Sequence, residues 1–207
     1  MANVNRPKGF SPVQSGNGAP WNQSVRKYYV ASDAVNSYAV GDVVMRAAGS
    51  DADGIPAVTK WTGVSAVGSL PLGVIVGITV ADASVSLVGN SLTLERTYLP
   101  VNSGNHYVLV ANDDDTVYEI QGDATVWAAA NANHNCTVTI TANQIALSNS
   151  SPFSSMVATA PNTTLTLPLA IVGIAQRPDN AFGAYCALLV KFNTPDARGS
   201  VNGRTGI

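Results

Sequence analysis

Apolar and polar positions alternate with a period of two in short runs along this chain, and residues that favour turns punctuate the runs. The clearest instance is His106 to Gln121, HYVLVANDDDTVYEIQ. Val108 and Val110 fall on one face of an extended segment, with Tyr107, Leu109 and Ala111 on the other. Asn112, Asp113, Asp114 and Asp115 then supply a turn, and Val117, Tyr118 and Ile120 resume the pattern. This reads as a β-hairpin. Its apolar content on both faces predicts a central position between layers.

The remaining elements follow in order. Ala2 to Trp21 holds three prolines and three glycines, with Phe10, Val13 and Trp21 isolated among polar residues, so it predicts an extended arm lying against something. Tyr28, Tyr29 and Val30 make a short strand. VGDVVMRAA from Val40 and AVTKWTG from Ala57 predict a hairpin around GSDADGIP. Leu70 to Ala81, LPLGVIVGITVA, predicts a buried central strand, and LPLAIVGIA from Leu167 repeats its opening and its Val, Ile and Gly content. Two strands in equivalent places of a sandwich would account for that. VSLVGNSLTLE from Ser84 or Val85 onward predicts another hairpin, and TVWAAA, 125–130, one or two helical turns. Residues 131–168 read as edge strands and loops, QRPDNAFGAY as an ordered turn, and CALLVKF from Cys186 as a buried closing strand. The whole predicts an all-β chain: an arm over 1–24, a β-rich body over 25–193 and a mobile tail over 194–207. Deleting Met1 to Pro20 is expected to leave the body folded.

Composition narrows the function. A chain of 207 residues that is 46% hydrophobic can bury a core. Only 12% of residues are charged and Glu occurs twice, at Glu95 and Glu119, so long soluble helices are not expected. Ser, Thr, Asn and Gly leave a neutral polar exterior that suits an assembly, a homotrimer ahead of a homodimer. A net charge of -2 gives no footprint for a phosphate backbone, so nucleic acid is not expected as a partner. No run approaches a membrane span and MANVNRPKGF lacks the apolar core of a secretory signal, which predicts folding in a cytoplasm, without a membrane partner. Cys136 and Cys186 read as buried thiols.

Candidate chemistry is sparse. His106 and His134 belong to no Ser/His/Asp order, and His134 with Cys136 gives two ligands, short of a zinc site. Asp51, Asp53 and Gly54 resemble the opening of a calcium loop but lack a closing Glu, and Asp113 to Asp115 reads as a solvated turn. No metal, cofactor or catalytic residue is expected. Sequons at Asn22, Asn135, Asn149 and Asn162 read as coincidence in so Asn- and Thr-rich a chain.

The opening NRPKGFSPV with GAPW and KYYV, the HYVLVANDDDTVYEIQ segment, and the closing IVGIAQRPDNAFGAYCALLVKFN together resemble the capsid cement, or decoration, proteins of tailed double-stranded DNA bacteriophages. The resemblance covers most of the chain and thins between Asn131 and Pro168. It implies a jelly-roll or β-barrel/sandwich body on the outer surface of an icosahedral shell of major capsid protein, with an arm reaching across neighbouring subunits. It implies no enzyme. By position, Arg6, Pro7, Phe10 and Trp21 would belong to the capsid-gripping arm, and Arg177, Asp179 and Asn180 to an ordered turn near subunit contacts. Another reading is a phage surface adhesin whose Asn- and Thr-rich loops, with Trp127, touch glycans; a β-fold hydrolase has least support.

Overall fold

The computed structural model describes residues 3–32, 35–79, 97–102, 104–140 and 153–206. Among them the chain is all-β: thirteen strands and two single 3-10 turns, at Ala129–Asn131 and Asp196–Arg198. The hairpin expected from Ser84 onward lies outside the described residues. Of the helix expected over 125–130 only the turn at Ala129–Asn131 forms. The Asp123 carboxylate accepts a hydrogen bond from the Thr125 amide at 2.9 Å, an Asx-type turn that competes with helix there.

Five strands close a barrel: β2 (Arg26–Val30), β4 (Val43–Ser50), β5 (Pro56–Lys60), β6 (Gly73–Thr79) and β8 (His106–Ala111), in the order β2-β5-β4-β6-β8. The short strands β3 (Tyr38–Ala39) and β7 (Tyr98–Leu99) pair beside it. A second sheet runs β1-β9-β13-β12-β10-β11. It is built from β1 (Ser11–Gln14), β9 (Val117–Gln121), β10 (Asn135–Thr139), β11 (Val157–Asn162), β12 (Leu169–Ile174) and β13 (Ala187–Phe192). A parallel bridge between Gly122 and Ala158 brings β11 round to β9, so this sheet also curls into a barrel. Closing a sheet on itself leaves few open edges.

The two barrels repeat one another. β6 pairs with β8 through Val74↔Ala111, Ile75↔Val110, Gly77↔Leu109 and Ile78↔Val108. β12 pairs with β13 through Ala170↔Lys191, Ile171↔Val190, Gly173↔Leu189 and Ile174↔Leu188. Each ladder skips one residue, Val76 or Val172, at the same place in an Ile-Val-Gly-Ile run. The bulge returns the second isoleucine to the face of the first, and Ile75 and Ile78 both lie inside the first barrel. The flanking strands agree: β4 meets β6 through Val43↔Val74 as β10 meets β12 through Asn135↔Ala170. The two apolar runs therefore do occupy equivalent places, in successive barrels.

The segment from His106 to Gln121 is a correction. β8 and β9 form no hairpin: β8 pairs with β2 and β6, and β9 with β1 and β13. Both edges of each strand are taken, so the aspartate turn between them is the joint between barrels, crossed by a hydrogen bond from the Tyr118 hydroxyl to the Ala111 carbonyl at 2.9 Å. Residues 131–168 also hold more than edges, since β10 lies between β11 and β12.

Two cores result. Tyr28, Val30, Val44, Ile75, Val108 and Val110 fill the first barrel. The interior of the second, with Tyr118, Leu169, Ile171, Leu188 and Val190, runs on to meet Val43, Trp61, Val74 and Ala111 from the outside of the first. Phe10 belongs to this larger core, 2% exposed, with its ring 6.1 Å from that of Tyr118 and 5.8 Å from that of Phe192. The N-terminal segment is extended, as expected, but what it lies against is its own chain: β1 pairs with β9, and the return through Trp21 covers β1. At the crossing, Gly9 has φ +70° and a Cβ there would stand 2.5 Å from the Gly41 carbonyl oxygen, so no side chain fits. The tail is likewise held. Asn193 donates to the Leu165 and Leu167 carbonyls at 3.1 and 2.9 Å and accepts from the Arg204 amide at 2.9 Å.

A candidate functional site at the arm and the 177–185 turn

β9 and β13 carry Glu119, Gln121 and Ala187 on the outer face of the second barrel, because Tyr118, Ile120 and Leu188 point inward. Over that face lie residues 3–8 on one side and the 177–185 turn on the other, leaving a cleft of about 310 Å³. Gln121 positions the arm: its Oε1 accepts from the Arg6 amide at 3.0 Å and its Nε2 donates to the Val4 carbonyl at 2.8 Å. Asn180 closes the turn, donating to the carbonyls of Ala175 and Ala187 at 2.8 and 3.0 Å and accepting from the Ala187 amide at 2.8 Å. Asn3 ties the two walls together by donating to the carbonyls of Ala181 and Ala184 at 2.8 and 2.9 Å.

Glu119 sits at the floor, 6% exposed. Lys8 approaches one of its oxygens at 3.0 Å and Arg177 the other at 2.7 Å. Burial pushes this carboxyl upward, but the hydrogen bonds from Arg177 and Lys8 outweigh it and hold the pKa below the ordinary value. Arg177 is raised by the hydrogen bond to Glu119, against the lowering effect of its own burial. Its Nε also lies 3.5 Å from a carboxylate oxygen of Asp179, whose side chain is 75% exposed. The arrangement is a row of charges, two cations on one carboxylate and a second carboxylate beside Arg177. It can recognise a charged or hydrogen-bonding group.

Of the seven positions singled out in the sequence, Arg6, Arg177, Asp179 and Asn180 line this cleft together. Pro7 is half-buried beside it. Phe10 and Trp21 are elsewhere: Phe10 is spent on this chain's own core, which removes it from a surface grip, and Trp21 packs half-buried against the same core. Sequence reasoning missed Lys8, Glu119 and Gln121. Glu119 did carry a signal, as one of two glutamates in the chain and an acidic residue inside an apolar strand.

A second cleft, of about 320 Å³, lies between the tail and β12 and β13. Lys191 pairs there with Asp115 at 3.3 Å and Arg198 with Asp114 at 4.0 Å, so the aspartate run is matched by cations of its own chain. Asp51 is also occupied: it accepts from the amides of Asp53 and Ile55 at 3.0 and 2.7 Å and from the Tyr107 hydroxyl at 2.6 Å. Among the described residues no group of three or more His, Cys, Asp or Glu could hold a metal ion. His106 is 5% exposed and its Nδ1 lies 3.1 Å from the Gly104 carbonyl oxygen. Both cysteines are free and buried, and burial pushes the Cys186 thiol up to about 11. Trp127 is 1% exposed, packed against Gly122, so it offers no face to a glycan, and Asn135 is fully buried, closed to glycosylation.

Family models, curated proteins and solved structures yield no match to this chain.

Proposed function

We propose that this chain is a structural capsid cement protein, which binds the outer surface of an icosahedral phage head and adds contacts between neighbouring copies of the major capsid protein. The observation that carries the reading is the convergence on one cleft of Arg6, expected in the capsid-gripping arm, with Arg177, Asp179 and Asn180, expected near subunit contacts from their loop placement alone. The body supports it in kind. Two barrels fused through a shared core form a stiff block, and a stiff block loses little conformational entropy when it docks. The low charge of the chain suits close approach of many like copies, each contributing modest contacts that symmetry multiplies. Ligand binding to the assembled shell, and not to its separated subunits, raises the work needed to take the shell apart.

The test is addition of the purified chain to expanded heads that lack decoration. Saturable binding in a fixed ratio to shell subunits, with a higher temperature of head disruption, is expected. Heads that neither bind the chain nor gain thermal resistance overturn the reading.

A further inference from the structure

The cleft that carries the proposed function also has a chemistry of its own. Three cations line it, Arg6, Lys8 and Arg177, against two carboxylates, Glu119 and Asp179. Glu119 takes up Lys8 and Arg177 from below, yet both remain about half exposed, at 48% and 44%. Among the described residues Arg6 makes no ion pair; it is exposed and lines the cleft, and its backbone is pinned by Gln121. Asp179 shows how a carboxylate meets this row from the solvent side, at 3.5 Å from Arg177. It is an internal occupant, mostly exposed, that a better-placed carboxylate would displace. Each wall carries an exposed apolar residue: Val4, which lines the cleft, at 61%, and Phe182, in the turn that Asn3 fastens to the arm, at 43%. An excess of a single positive charge, with an exposed apolar residue on each wall, fits a lone carboxylate better than a phosphate backbone, which needs a run of cations.

We propose that the cleft takes an acidic side chain, flanked by apolar residues, from an extended segment of a partner polypeptide. That the partner is the shell subunit rests on the cement reading; the carboxylate chemistry does not.

Two arms test the two claims separately. In the first, the isotopically labelled full-length chain is titrated with a capped pentapeptide bearing a glutamate between two leucines, and with its glutamine twin. Amide shifts are followed at Arg6, Gln121, Arg177 and Ala187. The glutamate peptide is expected to shift these amides and the twin to leave them in place. Arg6→Gln should weaken binding about fivefold, the upper end for an exposed pair, while Asp179→Asn should tighten it by a few-fold, since it removes the internal competitor. Opposite signs from two exposed positions are not produced by loss of structure. Equal response to both peptides, or none by about 20 mM peptide, overturns the inference. In the second arm, R6Q and the unaltered chain are bound to undecorated heads. If the unaltered chain binds and R6Q binds as tightly, the assignment of the cleft's partner to the shell subunit falls while the cement reading stands. If the unaltered chain fails to bind heads but the titration behaves as expected, the cement reading falls and the cleft inference stands.

Discussion

The two barrels share a register and differ in what covers their outer faces. In the first, the row Val43, Val74 and Ala111 is apolar and fully buried, because the second barrel packs over it. The equivalent row in the second is Asn135, Ala170 and Lys191. There Asn135 donates to the carbonyls of Thr164 and Arg204 at 3.0 and 2.7 Å, so the tail stands where a third barrel would. The neighbouring rows diverge as well. Lys27 lies over the Tyr107 ring, 4.3 Å from its centroid, while Glu119, at the place of Lys27, anchors the cation pair of the cleft. A repeated unit thus keeps the pairing that closes it and varies the face that meets its surroundings, and its second copy is polar outside where the first is apolar.

Removing residues 1–20 takes Phe10 from the larger core and β1 from β9. It should cost about 5 kcal/mol and loosen the second barrel first, contrary to the expectation from sequence that the body is indifferent to the arm. Denaturant unfolding followed by hydrogen exchange would separate the barrels. Next is a feature of the first barrel alone: Lys60 and Asp42 form a buried pair at 3.0 Å, with side chains 1% and 0% exposed. Asp42→Ala strands the lysine and should cost about 4 kcal/mol, whereas the double variant Asp42→Asn, Lys60→Met should recover most of that in the same urea titration.

Gly122→Ala tests the closure of the second barrel. A Cβ there would stand 2.4 Å from Trp127 Nε1, so the indole must shift, at about 2 kcal/mol, with a change in tryptophan emission. Smallest is Glu119→Gln, about 1 kcal/mol, since both of its cations are half in solvent. The folded pKa of Glu119 lies below its unfolded value, so its contribution is full above the ordinary carboxylate value of about 4.3 and disappears as pH falls through the lower, folded one. The stability gap between the unaltered chain and E119Q should be present at neutral pH and close in acid.

Much of the fold was legible because strands in a barrel announce themselves by period. The Val40 to Gly63 hairpin, the central Leu70 run, its echo at Leu167 and the closing strand all form. The error at His106 to Gln121 is instructive: strand, turn, strand is the same local pattern whether the strands pair with each other or with others. Apolar residues on both faces say that both faces of a strand are covered, and leave open which strands take its edges. Phe10 was misplaced because a lone aromatic among prolines and glycines looks like an anchor for a partner, and nothing local reveals that the partner is Tyr118 of the same chain. The cleft was half legible. The turn at Arg177 to Asn180 and the arm were each visible, but the ion pair that joins them through Glu119 spans 58 residues, beyond any local pattern.

Hydrogen exchange of the chain, free and bound to undecorated heads, would show which face of the molecule meets the shell. Amides of residues 3–8, Gln121 and 177–187 should gain protection on binding while the Lys27 and Tyr107 face of the first barrel is unchanged. Protection confined to the first barrel, or none anywhere, would contradict docking through the cleft.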